Sequence, residues 1–244
     1  MSNIERAIQK HKQTILSYGI KEENLLGVFL YGSQNYGTAT ENSDVDTKAI
    51  VIPTFEELVF ERPLSKTLHL SNGEVCEVKD IREMINNFRK QNINFIELLY
   101  TDYKWINPKY IDIWNKYFVE KRELISHYDR NKCVHSISHQ ALHTIRQNRN
   151  DGKKISNGLR LKEFLSLYTC GFEYADCLVP IGKFKEKIMN LKTGKLIYTE
   201  EEVDNLINYF EEMLKKDFPT RERLQQEVDK NFYEVTLKII KENI

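Results

Sequence analysis

Cysteine is scarce in this chain and has no pairing pattern. Cys76, Cys133, Cys170 and Cys177 are scattered without a Cys-x-x-Cys spacing, which argues against a zinc knuckle and against a disulfide framework. No apolar run approaches the ~20 residues that span a bilayer. The opening Met1-Ser2-Asn3-Ile4-Glu5-Arg6 lacks the apolar core of a signal peptide, so the expected location is the cytoplasm. Net charge is missing as well, since 36 basic side chains balance 36 acidic ones. That speaks against a general affinity for long nucleic acid and leaves room only for a local basic groove. Internal repeats and low-complexity tracts are absent. What is there, 244 residues of which 41% are hydrophobic and 30% charged, describes a globular protein of one large domain or two small ones.

The densest chemistry lies between residues 28 and 53. An apolar strand, Val28-Phe29-Leu30-Tyr31, runs into Gly32-Ser33, and ten residues later Asp44-Val45-Asp46 opens a second apolar run, Ala49-Ile50-Val51-Ile52. Phosphoryl transfer needs close backbone approach to phosphate oxygens, and carboxylates for the divalent ions that bridge them. Gly32 has no Cβ, so the chain can turn sharply there and aim N–H groups at an anion. Ser33 adds a hydroxyl donor. In a strand, residues i and i+2 share a face, so Asp44 and Asp46 point together at one ion site while Val45 points into the core.

Taken alone, an Asp-x-Asp or a Gly-Ser is common turn chemistry. Joined at this spacing between two β-rich runs, they resemble the DNA polymerase β-like nucleotidyltransferase superfamily. Within it, Gly32-Ser33, Tyr36-Gly37 and Ser43-Asp44-Val45-Asp46 look like the RNA-repair-associated polymerase β-like branch and the related phage predicted nucleotidyltransferases. The resemblance covers residues 25–100 well and the rest weakly. It implies a third carboxylate on a downstream strand, and three acids compete for that role. Asn72-Gly73 predicts a hairpin of Lys66–Leu70 with Glu74–Lys79. Glu74 follows the turn and reads as solvated. Asp80, three residues before Glu83, reads as the cap of the next helix. Glu77 lies inside the strand, where an unpaired charge is costly without a cation, and it is the choice. The implied site is Mg²⁺ or Mn²⁺ on Asp44, Asp46 and Glu77, with Gly32, Ser33 and Lys48 contacting the nucleotide.

Downstream, Ile81, Met84, Ile85 and Phe88 share a helical face, and Asn94 is expected to cap a short helix, Phe95–Tyr100. Glu97 reads as a solvated position or as an orienter of a nearby cation. The expected fold is α/β (α+β), a nucleotidyltransferase catalytic domain with a short mixed sheet over 1–107. An all-α domain over 108–244 follows, with helical periodicity in 109–125, 131–150, 157–176, 181–191, 199–216 and 220–242. His135, His139 and His143 fall on one helical face, but the outer two lie ~12 Å apart and cannot share a metal. Arg146, Arg149, Lys153, Lys154, Arg160 and Lys162 form a basic cluster, either a solvated face or an electropositive wall for a triphosphate. The expected reaction is transfer of a nucleoside monophosphate, AMP by preference, from an NTP to a hydroxyl with release of pyrophosphate. The acceptor could be an RNA 3′-end, a protein or a small molecule. The competing readings are a nucleotide-binding sensor without turnover, and a protein-AMPylating defence or toxin–antitoxin component.

Overall fold

The computed structural model describes residues 2–70 and 73–243, so Asn72, half of the expected Asn-Gly turn, lies outside the described residues. The chain opens with α1 (Asn3–Ser17), whose start is fixed by a reciprocal Ser2–Glu5 capping box. There follow β1 (Leu25–Leu30), β2 (Thr47–Val51), a short α2 (Phe55–Val59), β3 (Ser65–His69) and β4 (Val75–Asp80). Next come α3 (Ile81–Arg89), α4 (Ile93–Ile96) and β5 (Lys104–Ile106). Beyond β5 every described element is helical: α5 (Ile111–Trp114), α6 (Arg122–Ser126), α7 (Arg130–Gln147), α8 (Gly152–Thr169), α9 (Tyr174–Leu178), α10 (Gly182–Lys192), α11 (Glu200–Leu214) and α12 (Glu222–Asn243). No described helix is long and apolar enough to cross a membrane.

The five strands form one mixed sheet in the order β3-β4-β2-β1-β5. The expected β3–β4 hairpin is present and antiparallel. β2 instead lies parallel to β4, with Lys48 opposite Glu77. Strand alternation sorts the side chains. Val28, Ala49, Val51, Cys76 and Val78 face α1. Phe29, Ile50 and Ile52 face the other way, into an apolar cluster that continues through α3 and α4 into the long helices, with Phe29 against Trp114 at 4.5 Å.

Three local expectations are corrected. β2 begins at Thr47, so Asp44 and Asp46 lie in the segment leading into it, because β1 ends at Leu30 and Gly32 then turns the chain away. One bond, Tyr31 N–H to the Asp46 carbonyl at 3.2 Å, still ties the two segments. Asn92, not Asn94, caps α4: its side chain accepts from the Asn94 N–H. Asp80 caps α3 as expected, but through the Arg82 N–H, while the Glu83 carboxylate turns to Lys79 at 3.5 Å.

Candidate active site

The Gly32 turn is built as the sequence requires. Gly32 has φ +85°, a conformation that L side chains rarely adopt, and the space where its Cβ would stand is open. Its own N–H, however, faces inward. It donates to Glu97 Oε2 at 3.2 Å, and Asn35 Nδ2 donates to the same oxygen at 3.2 Å. The donors left to meet an anion at this turn are those of Ser33, which lines the adjoining cleft.

Glu97, read from the sequence as a solvated position or as an orienter of a nearby cation, is buried beside the Gly32 turn. The solvated reading fails: the side chain is 0% exposed. Burial pushes its pKa up to about 7, against the pull of Tyr36, Asn35, Arg160 and the Gly32 N–H. The signal that could have found it is its place between Phe95-Ile96 and Leu98-Leu99, with apolar neighbours on both sides.

The carboxylates divide into a pair and a separate acid. Asp44 is exposed, while Asp46 is half-buried and accepts from the Val75 N–H at 3.0 Å. Burial raises the Asp46 pKa, the Val75 N–H opposes that, and Asp44 adds to it. His11 and Lys153 pull it back. Val45 packs toward the α1 side, as the alternation predicts. Glu77 stands apart because both of its oxygens are engaged: Oε2 by Lys48 Nζ at 2.8 Å, and Oε1 by the Tyr31 hydroxyl at 3.0 Å. Burial would raise the Glu77 pKa, but Lys48 and Tyr31 bring it below the usual carboxylate range. Lys48 is 2% exposed, and its ammonium sits 3.6 Å above the Tyr31 ring. Burial of the Tyr31 phenol, with Glu77, Asp46 and Glu97 around it, keeps it protonated far above neutral pH.

Among the described residues, no three His, Cys, Asp or Glu side chains converge as a set that could hold a metal ion. Asp44 and Asp46 suit one divalent ion in carboxylate chemistry. Glu77, committed to Lys48 and Tyr31, does not complete a three-carboxylate set. Glu74 is not solvated either. It accepts from the buried His11 at 3.1 Å, and the other ring nitrogen of His11 meets the Thr47 hydroxyl at 2.7 Å.

Across from the Gly32 turn, α8 and α10 supply the opposite wall of a cleft of about 320 Å³. Gly158 lets α8 approach α7, since a Cβ there would stand 2.5 Å from Ile145 Cδ1. Two residues further along α8, Arg160 lines the cleft. Arg160 is 4% exposed, stacks on the Tyr36 ring at 3.7 Å, and leaves Nη1 buried without a partner. Lys153, Lys154 and Lys192 line the same cleft. The basic cluster therefore splits. Lys153, Lys154 and Arg160 face the site. Arg146 pairs with Glu211, and Arg149 with Glu200 and Asp204 at 2.8 and 2.6 Å on α11. Lys162 covers the Tyr209 ring. His135, His139 and His143 lie exposed along α7. In chemical terms the arrangement offers a glycine turn, two adjoining carboxylates and a cationic wall, which together suit a phosphorylated ligand with its divalent ion.

No protein-family model matches the chain, and no curated protein does. Among solved structures, the chain is similar to a nucleotidyltransferase-like protein from Exiguobacterium sibiricum 255-15. The identity is 13% and the TM-score 0.35, over 98% of this chain and 80% of that one. A likeness of that size carries no argument about this chain's fold or reaction.

Proposed function

We propose that this chain is a nucleotidyltransferase that transfers a nucleoside monophosphate, AMP by preference, from an NTP to a hydroxyl acceptor. The observation that carries the reading is the meeting of Gly32, Ser33, Lys153, Lys154 and Arg160 around one cleft, with Asp46 near enough for Lys153 to act on its carboxyl. Cationic side chains there offset triphosphate charge, and the open space at Gly32 admits a phosphate where any side chain would stand. Asp44 and Asp46 would hold one Mg²⁺ or Mn²⁺, which when bound supplies further positive charge to the triphosphate. In the reaction, the acceptor oxygen bonds to the α-phosphorus as the bond to the bridging oxygen breaks. Pyrophosphate departs and the hydroxyl proton is released. Acceptors of three classes suit the chemistry: an RNA 3′-end, a protein hydroxyl or a small molecule.

The test is incubation with each α-labelled NTP, Mg²⁺ and total RNA or lysate, followed by fractionation. Label should enter one acceptor fraction. It should be lost in Asp44→Asn and Asp46→Asn at unchanged melting temperature, because each removes a charge from the same ion site. Near-normal transfer by either variant would remove these carboxylates from the site. The second reading, a nucleotide sensor without turnover, draws on the Lys48–Glu77 pair: a neutralised third acid spares the site the like-charge repulsion that only catalysis would justify. Tight ATP binding with no label transferred to any fraction would establish it.

A further inference from the structure

A lysine buried in a strand needs a counter-ion, because an ammonium taken out of water without one is strongly unfavourable. Lys48 has one. On β2 its side chain lies in register with Glu77 on the parallel strand β4, and the two meet at 2.8 Å with Lys48 only 2% exposed. Two aromatic rings complete the housing: Tyr31 at 3.6 Å and Phe95 at 5.2 Å from the ammonium. Tyr31 also donates to the second Glu77 oxygen at 3.0 Å. The arrangement is closed, with each oxygen of Glu77 holding a donor, and Lys48 is absent from the lining of the cleft that contains Ser33 and Arg160.

Asp44 and Asp46 lie in the segment leading into β2, and Lys48 is the second residue of that strand. A buried cation therefore follows Asp46 by two residues and already neutralises Glu77, the acid that a three-carboxylate site would use for a second divalent ion. Resting on the nucleotidyltransferase reading above, the structure assigns Lys48 the place of that second ion: the site takes a single divalent cation on Asp44 and Asp46, and the Lys48 ammonium holds Glu77 in its stead. An ammonium on a four-carbon stem is a compact point charge, suited to standing in for an ion. It differs in being permanent, so the site would not need to recruit a second metal before each turnover.

The experiment counts Mn²⁺ by electron paramagnetic resonance on the full chain, with α,β-methylene-ATP bound. Wild type should bind one Mn²⁺ per chain. Lys48→Met, which frees Glu77 and leaves it without a cation, should bind two. In Lys48→Met/Glu77→Gln both members of the pair are replaced by uncharged residues of similar size, so no charge is left buried alone. Its count should be one, with Mn²⁺ affinity within twofold of wild type. If Lys48→Met does not fold, the double variant decides. A tenfold loss of Mn²⁺ affinity there would make Glu77 a ligand and overturn the assignment. Two ions in wild type, or no gain in a folded Lys48→Met, would also overturn it while leaving the nucleotidyltransferase reading in place. Wild type that binds neither nucleotide nor Mn²⁺ would remove both.

Discussion

Two acids flank Tyr31, Glu77 half-buried and Glu97 fully buried, and the protein treats them in opposite ways. Glu77, on β4, is given a lysine at 2.8 Å and a phenol at 3.0 Å, and its pKa falls. Glu97, just past α4, is given neutral hydrogen-bond donors and the charge of Arg160, and burial still pushes its pKa to about 7. The contrast shows that burial alone does not fix a carboxyl's charge. The partner weighs alongside the burial: a counter-ion keeps half-buried Glu77 ionised at every physiological pH, whereas fully buried Glu97 keeps its proton until near neutrality.

Breaking the first half of the contrast should have the largest effect. Glu77→Ala strands the Lys48 ammonium in the sheet, and we expect a loss of about 3–5 kcal/mol of stability. Denaturant unfolding would measure it, and adding Lys48→Met should return most of the loss. If the single variant unfolds at the wild-type midpoint, the pair contributes nothing and the contrast collapses.

The second half is sharpened by pH. Folded Glu97 holds its proton to about pH 7, whereas the unfolded chain releases it near 4.5. The folded state is therefore the greater proton binder between those values, and its stability falls as pH rises through that window. The full loss, about 3 kcal/mol, is reached above about pH 7. Glu97→Gln should abolish this slope, so that denaturation midpoints at pH 5 and pH 8.5 draw together. A wild-type midpoint that is flat across the window would place the Glu97 pKa near its ordinary value.

Asp80 supplies a third case. It is 0% exposed and gives its carboxylate to the Arg82 guanidinium at 2.6 Å as well as to the Arg82 N–H. Asp80→Ala should lower stability by about 1–2 kcal/mol through loss of the cap and the ion pair. Nucleotide transfer, measured alongside, should be unchanged, and its disappearance at constant melting temperature would move Asp80 into the site. The smallest effect is expected for Asn35→Ala. Removing one donor to ionised Glu97 should cost about 1 kcal/mol at pH 8.5 and little at pH 5, where the acid is protonated.

The parts of the site legible in the sequence were those set by local geometry. The φ of +85° at position 32 suits a glycine, Val45 packs toward the α1 side although the strand starts later than expected, and Asp80 caps because the chain turns into a helix there. The parts that were not legible depend on contacts made across the fold. Glu97 looks like an ordinary helix position until Gly32 and Asn35, more than sixty residues earlier, close over it. The basic cluster splits because Arg146 and Arg149 are drawn to acids of α11, whereas Lys153, Lys154 and Arg160 of α8 line the cleft. Lys48 carried a local hint, a cation on the same side as two acids. Its partner was visible only once β4 was known to run parallel to β2.

That parallel pairing gives the Lys48–Glu77 contact a further consequence, in assembly of the sheet. A slip of one residue between β2 and β4 would set Lys48 beside Cys76 or Val78 and turn Glu77 to the face packed on α1. Apolar strands such as Ala49–Ile52 tolerate such slips because one valine or isoleucine replaces another with little penalty. The Lys48–Glu77 pair does not, since a slip would part the buried Lys48 ammonium from its counter-ion. The ion pair thus acts as a registration key that rejects misaligned sheets during folding.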